Sequence, residues 1–506
     1  MTKNSPGRKP SAARLSEAVE AFLRDNNPWW EDKPMRPLPP FKRWAFQPAL
    51  QRLKTGLAAV TVLRGPRQVG KTTLQEQLIY HLLHTEAVNP KRIFRLQFDQ
   101  LPSLKGIADP ILSFARWFEN NILTSSFNEW AHKGEPVFLF LDEVQNLSEW
   151  APQTKSLVDL NSLRVLLTGS SALRIEHGRD SLAGRISTLE LDPLLLREIA
   201  SLRGRGDLPP QLSSNGNGLQ ALSEKAFWET LREQGLRYHK IRDQAFRDFS
   251  ARGGYPIAQA RPDRPWEEIA DQLNENVIRR VIRHDLRLGD RGRKRDEGLL
   301  EEVFRLCCRY AGQAPGPAIF INELRAGLSA NVGWQRVLAY LRFLNDTLLI
   351  RLVNPLELRL KRRKGLAKIC LCDHSLRASW LQESIPLTPD GLQRSPHLSD
   401  LAGHIAESVT GYFLGSLPGL DVGWFPTKGA EPEVDFVITV GEYRIPLEVK
   451  YRQQIDGHRD TLGLRAFLEK TVYNAPFGIM VTISDDVSVS DPRIIVLPLS
   501  SLLLMR

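Results

Sequence analysis

The sequence predicts an α/β fold in several domains, the first built on an open parallel sheet. Three observations predict it. A glycine-rich loop, Gly65 to Thr72, stands between an apolar, β-branched run and a helical pattern. A second apolar run ends in two carboxylates about seventy residues later. Far downstream, two strand-like segments bring Asp435, Glu448 and Lys450 into one short stretch.

Taken in order, residues 1–44 read as a basic, proline-rich tail with one short amphipathic helix (Leu15, Val19, Phe22, Leu23). The core is expected over 45–200. Leu57 to Leu63 is the first strand, with the unbroken apolar character of a buried parallel strand. Gly65-Pro66-Arg67-Gln68-Val69-Gly70-Lys71-Thr72 then fits the G-x-x-x-x-G-K-[ST] phosphate loop, followed by Thr73 and a helix to Leu83. The glycines let backbone N–H groups close around phosphate oxygens, and the helix N-terminus adds positive potential. Lys71 is expected at the β- and γ-phosphates, and the Thr72 hydroxyl in a Mg²⁺ shell. A plain glycine-rich turn explains neither Lys71 nor Thr72.

Val137 to Leu141 is a strand delivering Asp142 and Glu143 at its C-terminal edge, where open α/β sheets bind ligands. Asp142 is expected to hold Mg²⁺ through water, and Glu143 to orient and deprotonate an attacking water. The next strand, Leu163 to Thr168, leads to Ser170, a candidate γ-phosphate sensor with Thr168 as its competitor. Arg185 has two readings, a phosphate contact in cis or in trans, or a solvated or ion-paired arginine.

Gly204 to Gly218 reads as an exposed insertion. Helical patterns continue to about 295, interrupted by Gly253-Gly254-Tyr255-Pro256, so 201–295 is expected to be a helical lid. Residues 296–372 read as a winged helix: helices over Leu299–Tyr310, Ile321–Leu328 and about Trp334–Asn345, then strands Leu348–Val353 and Ala367–Cys372. Its wing carries Arg359, Lys361, Arg362, Arg363 and Lys364. A second basic cluster (Arg279, Arg280, Arg283, Arg287, Arg291, Arg293, Lys294, Arg295) precedes it. Charge runs are commonly solvated faces. Two of them flanking a helix-turn-helix pattern favour phosphate contacts with nucleic acid.

In the last domain, 373–506, Glu433 to Ile438 and Arg444 to Lys450 are strands joined by a turn at Gly441. Glu448 and Lys450, two apart, share a face, and Asp435 on the paired strand can join them. Two carboxylates suit a metal held against a phosphate, and a lysine stabilises developing charge. The bland reading pairs Glu448 with Lys450 on a solvated strand.

Net charge is +10, which suits an acidic polymer as partner. No apolar run approaches a membrane span, and the first residues lack a secretory h-region. Four cysteines without zinc spacing fit core packing in a reducing cytoplasm.

Asn27-Pro28-Trp29-Trp30, GPRQVGKTT at 65–73, LDEVQ at 141–145, LLTGSSA at 166–172, LAGR at 182–185, GGYP at 253–256, EVDF at 433–436 and LEVK at 447–450 together resemble a prokaryotic AAA-type ATPase family. Its C-terminal domain is related to PD-(D/E)xK nucleases. The resemblance implies a P-loop NTPase core using ATP and Mg²⁺, with a C-terminal restriction-endonuclease-like domain in which Asp435 and Glu448 hold metal beside Lys450. It also assigns Glu407, on the helix Asp400–Leu414, as a further metal-side acid. By the residues alone, the apolar stripe of that helix points away from Glu407, whose face carries Gly403 and Gly411; a solvated glutamate is the other reading. The chain departs from the family at Asp373-His374-Ser375-Leu376, where aspartate–glycine–leucine is usual. Nucleic acid, DNA first, is the expected partner, and a homo-oligomer is left open. Two function classes stand: an ATP-driven nuclease, or an ATP-dependent switch whose C-terminal domain only binds.

Overall fold

A computed structural model of the chain describes residues 15–101, 107–147, 149–169, 182–212, 216–285, 296–328, 332–358, 361–362, 366–427 and 432–506. They form two compact units: the chain up to Gly65 with Gly70–Leu191, and Pro66–Val69 with Asp192–Arg506.

The first unit holds a parallel sheet of β1 (Val60–Arg64), β2 (Ile93–Gln97), β3 (Val137–Asp142), β4 (Leu163–Gly169) and β5 (Ile186–Glu190), in the order β2-β3-β4-β1-β5. β2 and β3 are buried along their whole length. That two-sided burial is why their sequences do not alternate. β1 begins at Val60 rather than Leu57. Gly56, at φ +61°, closes the preceding helix Phe46–Thr55 in the left-handed region, which leaves Leu57 97% exposed in the turn.

The N-terminal segment is more than a tail. Ser16 caps the helix Glu17–Asn26, and Leu15, Val19 and Leu23 join the hydrophobic core. Beyond it, Asn27 pairs with the edge strand β2 as a short strand would. Its Nδ2 donates to the Arg95 carbonyl at 2.8 Å, and its Oδ1 accepts from the Arg95 amide at 2.7 Å. The Trp29 and Trp30 indoles both donate to the Ile93 carbonyl, at 3.0 and 2.9 Å. Side chains thereby close an edge that would otherwise offer free backbone groups.

In the second unit, the helices Glu297–Arg309, Pro317–Leu328 and Trp334–Asp346 are followed by β6 (Ile350–Val353), a short hairpin of β7 (Glu357–Leu358) and β8 (Lys361–Arg362), and β9 (Lys368–Leu371), which pairs antiparallel with β6. A mixed sheet follows: β10 (Asp421–Phe425), β11 (Val434–Val440), β12 (Tyr443–Lys450), β13 (Gly478–Thr482) and β14 (Ile494–Pro498), in that order. The pairs β10–β11 and β11–β12 are antiparallel, and β12–β13 and β13–β14 are parallel. The helix Ser399–Gly415 packs against β9 and this sheet. A Cβ at Gly411 would stand 2.5 Å from Cys370 Sγ and 2.6 Å from a Phe436 ring carbon, so the missing side chain permits the approach.

Two expected boundaries cross packed contacts. Leu371, just before the division drawn at 372, donates its amide to Ser408 Oγ at 2.9 Å. The helix His239–Arg252, read as lid, buries Arg242 between Asp485 (2.6 Å) and Ser501 (2.7 Å) near the C-terminus. The familial aspartate keeps a clear task. Asp373 caps the helix His374–Leu381 through the Ser375 amide at 2.8 Å and accepts the Gly254 amide at 2.5 Å. His374 packs edge-on against Phe249 and reaches the Ser250 carbonyl at 3.2 Å. All four cysteines are buried and free, and burial pushes the Cys308 and Cys370 thiols up to about 12.

Asn27→Ala leaves a buried amide and carbonyl of β2 unpaired. It should cost about 1–3 kcal/mol per group, read as a lowered denaturant midpoint. Unchanged stability would mean that the two tryptophans alone secure the edge.

Candidate functional site

Residues Gly65 to Thr72 join β1 to the helix Lys71–His84, and Thr73 lies in that helix's first turn. Gly70 caps the helix at φ +94°, a conformation that a side chain resists, and its missing Cβ would face open space. Gln68 is also left-handed, at φ +63°. Lys71 is buried and donates to the Gly65 carbonyl at 2.9 Å, across the loop.

Asp142 has no exposed surface, and several groups converge on it. Thr72 Oγ1 donates to Oδ2 at 3.0 Å, and the Thr168 hydroxyl donates to Oδ1 in a close contact. Thr168 also accepts the Glu143 amide at 3.2 Å. Glu143 itself is left-handed at φ +54°, with its carboxylate accepting from the Gln145 amide nitrogen. Burial pushes the Asp142 carboxyl up. The Thr168 hydroxyl opposes this, the Glu143 charge adds to it, and Arg95 and Thr72 draw it back. With Thr72 as a direct ligand, a carboxylate hydrogen-bonded to it at 3.0 Å can reach Mg²⁺ through a coordinated water, and the open Gly70 cradle leaves room for a phosphate.

Arg95, Gln97, Glu76 and Arg36 were not singled out in the sequence. They line, with Thr72 and Trp29, a cleft of about 440 Å³. Arg95 stands 3.8 Å from Asp142 and 3.1 Å from Glu76, and donates to Gln97 at 3.2 Å. The only local signal was Arg95 and Gln97 two apart in a short apolar run; the register that sets Gln97 opposite Asp142 is seen only in the fold.

Ser170 lies outside the described residues; Thr168, its competitor, is the group found at the acidic pair. Arg185 forms an exposed ion pair with Asp159, with a second contact at 3.1 Å, and donates to the Ala183 carbonyl at 3.0 Å. In the basic clusters, Arg279 pairs with Glu275, and Arg280 and Arg283 are exposed. Arg287, Arg291, Arg293, Lys294, Arg295, Arg359, Arg363 and Lys364 lie outside the described residues.

In the second unit, β11 and β12 do bring Asp435, Glu448 and Lys450 together. Asp435 Oδ2 accepts the Val449 amide at 2.8 Å, and Lys450 Nζ lies 2.6 Å from Glu448 Oε1. The strand is not solvated there: Asp435 and Glu448 are each 7% exposed. Glu407 also turns inward and is ion-paired, so the solvated reading of this residue fails. The packing of Gly411 on β9 and β11 turns its face toward the sheet. The residue that sequence reasoning missed is Lys368 on β9. Its ammonium sits 2.9 Å from Asp435, 3.1 Å from Glu433 and 3.2 Å from Glu407. A lone lysine at a strand start carries no sequence signal for this. Among the described residues, no three His, Cys, Asp or Glu side chains are arranged as a metal cage.

Charge follows burial here. Burial raises Glu448 to about 8, with the Asp435 charge adding and Lys450 opposing. Burial likewise raises Glu407 to about 8, against Lys368. Burial is the largest single influence on Asp435 and Lys368 and works against both charges, but their mutual attraction, together with the Val449 amide and Lys450 acting on Asp435, outweighs it. Asp435 stays below its ordinary range, and Lys368, helped by Glu407 and Glu433, above its own.

Residues 58–200 match a family described as an AAA domain. An uncharacterised protein of Methanocaldococcus jannaschii is 27% identical over 187 residues, 36% of this chain and 37% of that protein. Uncharacterised proteins of Mycobacterium bovis and Mycobacterium tuberculosis are each 26% identical over 298 residues, 52% of this chain and 60% of theirs. The chain thus spans less than two thirds of the relatives it matches. Among solved structures, domain III of the Thermotoga maritima replication initiation protein DnaA is 15% identical, at a TM-score of 0.22 over 40% of this chain and 93% of that one. C. elegans PCH-2 is 17% identical, at 0.21 over 32% and 45%. Such scores are too low to assign a fold. Among the described residues, no helix is long and apolar enough to cross a membrane. The match over 58–200, which contains both the phosphate loop and the acidic pair, supports an AAA-type P-loop ATPase domain.

Proposed function

We propose that this chain is a Mg²⁺-dependent ATPase of the AAA type that acts on nucleic acid, with DNA as the first candidate. The observation that carries the ATPase reading is the convergence of Thr72 and Thr168 on the buried Asp142, with Thr168 also accepting the Glu143 amide, beside a left-handed glycine loop. In this reading Lys71 leaves the Gly65 carbonyl for the β- and γ-phosphates. Thr72 directly and Asp142 through water would hold Mg²⁺, which would supply charge neutralisation on those phosphates. Glu143 accepts the proton of the attacking water, and Thr168 fixes the backbone from which Glu143 projects. Gly65, Pro66, Arg67, Gln68, Val69, Gly70 and Thr73 bind the nucleotide with Lys71 and Thr72, and Ser170 is a further candidate.

The C-terminal site is proposed to cut DNA under ATP control. Asp435, Glu448 and Glu407 would supply the metal's charge sink, and Lys450 a fixed cation beside the phosphate. The arrangement of three helices before the β6–β9 pair supports a winged-helix reading, with Arg280 and Arg283 among the phosphate contacts. A second reading is favoured by Lys368. Its ammonium already balances the Asp435 charge and holds Glu407 at 3.2 Å, as in a domain that binds nucleic acid or protein without cutting.

Lys71→Ala should abolish tight nucleotide binding. Glu143→Gln should keep binding and slow turnover by roughly two orders of magnitude or more, and an unchanged rate removes Glu143 from the mechanism. Arg185 enters this scheme by exchanging Asp159 for a γ-phosphate, in cis or from a neighbouring copy. Arg185→Ala should then lower the ATPase rate more than nucleotide affinity; a normal rate leaves it a surface ion pair. For the second site, wild type is incubated with DNA and RNA forms and Mg²⁺ or Mn²⁺, with and without ATP. Loss of cutting in Asp435→Ala and in Lys450→Ala, with ATPase activity kept, supports the nuclease. No cutting by wild type under any condition assigns the domain to binding.

A further inference from the structure

Three carboxylates from three places meet at one point in the second unit. Glu407 comes from the helix Ser399–Gly415, Glu433 from the approach to β11, and Asp435 from β11 itself. What fills the point is the Lys368 ammonium, 2.9–3.2 Å from an oxygen of each. The ammonium donates to Asp435 and Glu407, and Glu433 stands at ion-pair distance. The stem that carries it is sheltered, with Nζ 5.4 Å from the Trp424 ring centre and 5.3 Å from that of Phe436. Lys368 is 2% exposed.

A second observation points to a missing cation. Glu448, 93% buried by its 7% exposure, has an oxygen, Oε2, with no hydrogen-bond partner among the described residues. Lys450 satisfies only its Oε1. A buried carboxylate oxygen beside Asp435 and without a donor is costly unless a positive ligand reaches it. Lys368 spends its donors on the other carboxylates.

We propose that Lys368 is the resident cation of this pocket: its ammonium takes the place of a divalent metal among Asp435, Glu407 and Glu433. The proposal rests on the reading of Asp435, Glu407 and Glu448 as a cation-binding set. It explains why the carboxylates converge without forming a metal cage. The three oxygens are spaced for an ammonium at 2.9–3.2 Å, not for a divalent ion at the 2.0–2.1 Å that Mg²⁺ demands.

The test is Mn²⁺ binding to the full chain without nucleotide, followed by the electron paramagnetic resonance of free Mn²⁺. Wild type, Lys368→Met, Lys368→Gln and the double variant Lys368→Met with Asp435→Asn are compared, with circular dichroism reporting the fold. Removing a unit charge about 3 Å from the ion should tighten one Mn²⁺ site by about tenfold or more. The double variant should lose that gain. Folded Lys368→Met or Lys368→Gln with the Mn²⁺ affinity of wild type overturns the proposal, as does a gain that survives Asp435→Asn. If neither single variant folds, Lys368 is a structural cation and the proposal fails. Tighter Mn²⁺ binding with no DNA cutting keeps this inference and removes the nuclease. Cutting by wild type that Lys368→Met does not improve keeps the nuclease and removes the inference.

Discussion

Asp142 stands at the end of β3 with no surface open to water, and the first unit is arranged around that fact. A carboxylate so placed keeps its charge only if fixed donors replace water, since the effective penalty of burying an ion is several kcal/mol. The donors come from separate elements. Thr72 arrives from the helix after the loop and Thr168 from β4, and the Arg95 guanidinium on β2 adds its charge from 3.8 Å. Only a sheet with β3 between β2 and β4 sets Arg95 and Thr168 on opposite flanks. Strand order, loop position and the acidic pair are therefore one constraint.

The same constraint explains the work spent on β2. An edge strand that carries Arg95 toward the site must not slip or pair elsewhere. Asn27, Trp29 and Trp30 hold its backbone through Arg95 and Ile93. The Asn-Pro-Trp-Trp run thus secures the backbone that aims Arg95.

The second unit repeats the problem with the opposite sign. Lys368 is a buried ammonium, and its neighbours Asp435, Glu433 and Glu407 are what keep it charged. Removing one member of such a set strands the others, at about 3–5 kcal/mol for a broken buried pair. The set also ties β9, the helix Ser399–Gly415 and β11 together, in the place where Gly411 lets them approach. A structural brace and a cation site use the same atoms here, and the charge balance among them decides which role prevails.

Local pattern was enough to reveal much of this. The phosphate loop, the strand before it, the acidic pair and the β11–β12 hairpin each lie within a short stretch. Their periodicity reports burial on one or both faces, and Glu448 and Lys450 meet because residues two apart on a strand must. What local pattern did not hold was any partnership across distance. Lys368 and Asp435 are 67 positions apart, and Asn27 and Arg95 are 68. Nothing in either neighbourhood marks the other. For Glu407 the residues left two readings open because the apolar stripe of its helix points elsewhere; that helix is buried on more than one face, and the glycine at 411 turns the second face toward the sheet. Local sequence marked β1, β3, β4, β6, β9, β11 and β12 and the chemistry some of them carry at their ends, but not β2, β5, β10, β13 or β14. Tertiary packing decided which of those charges face one another, because a buried charge takes its partner from whatever element the fold brings within about 3 Å.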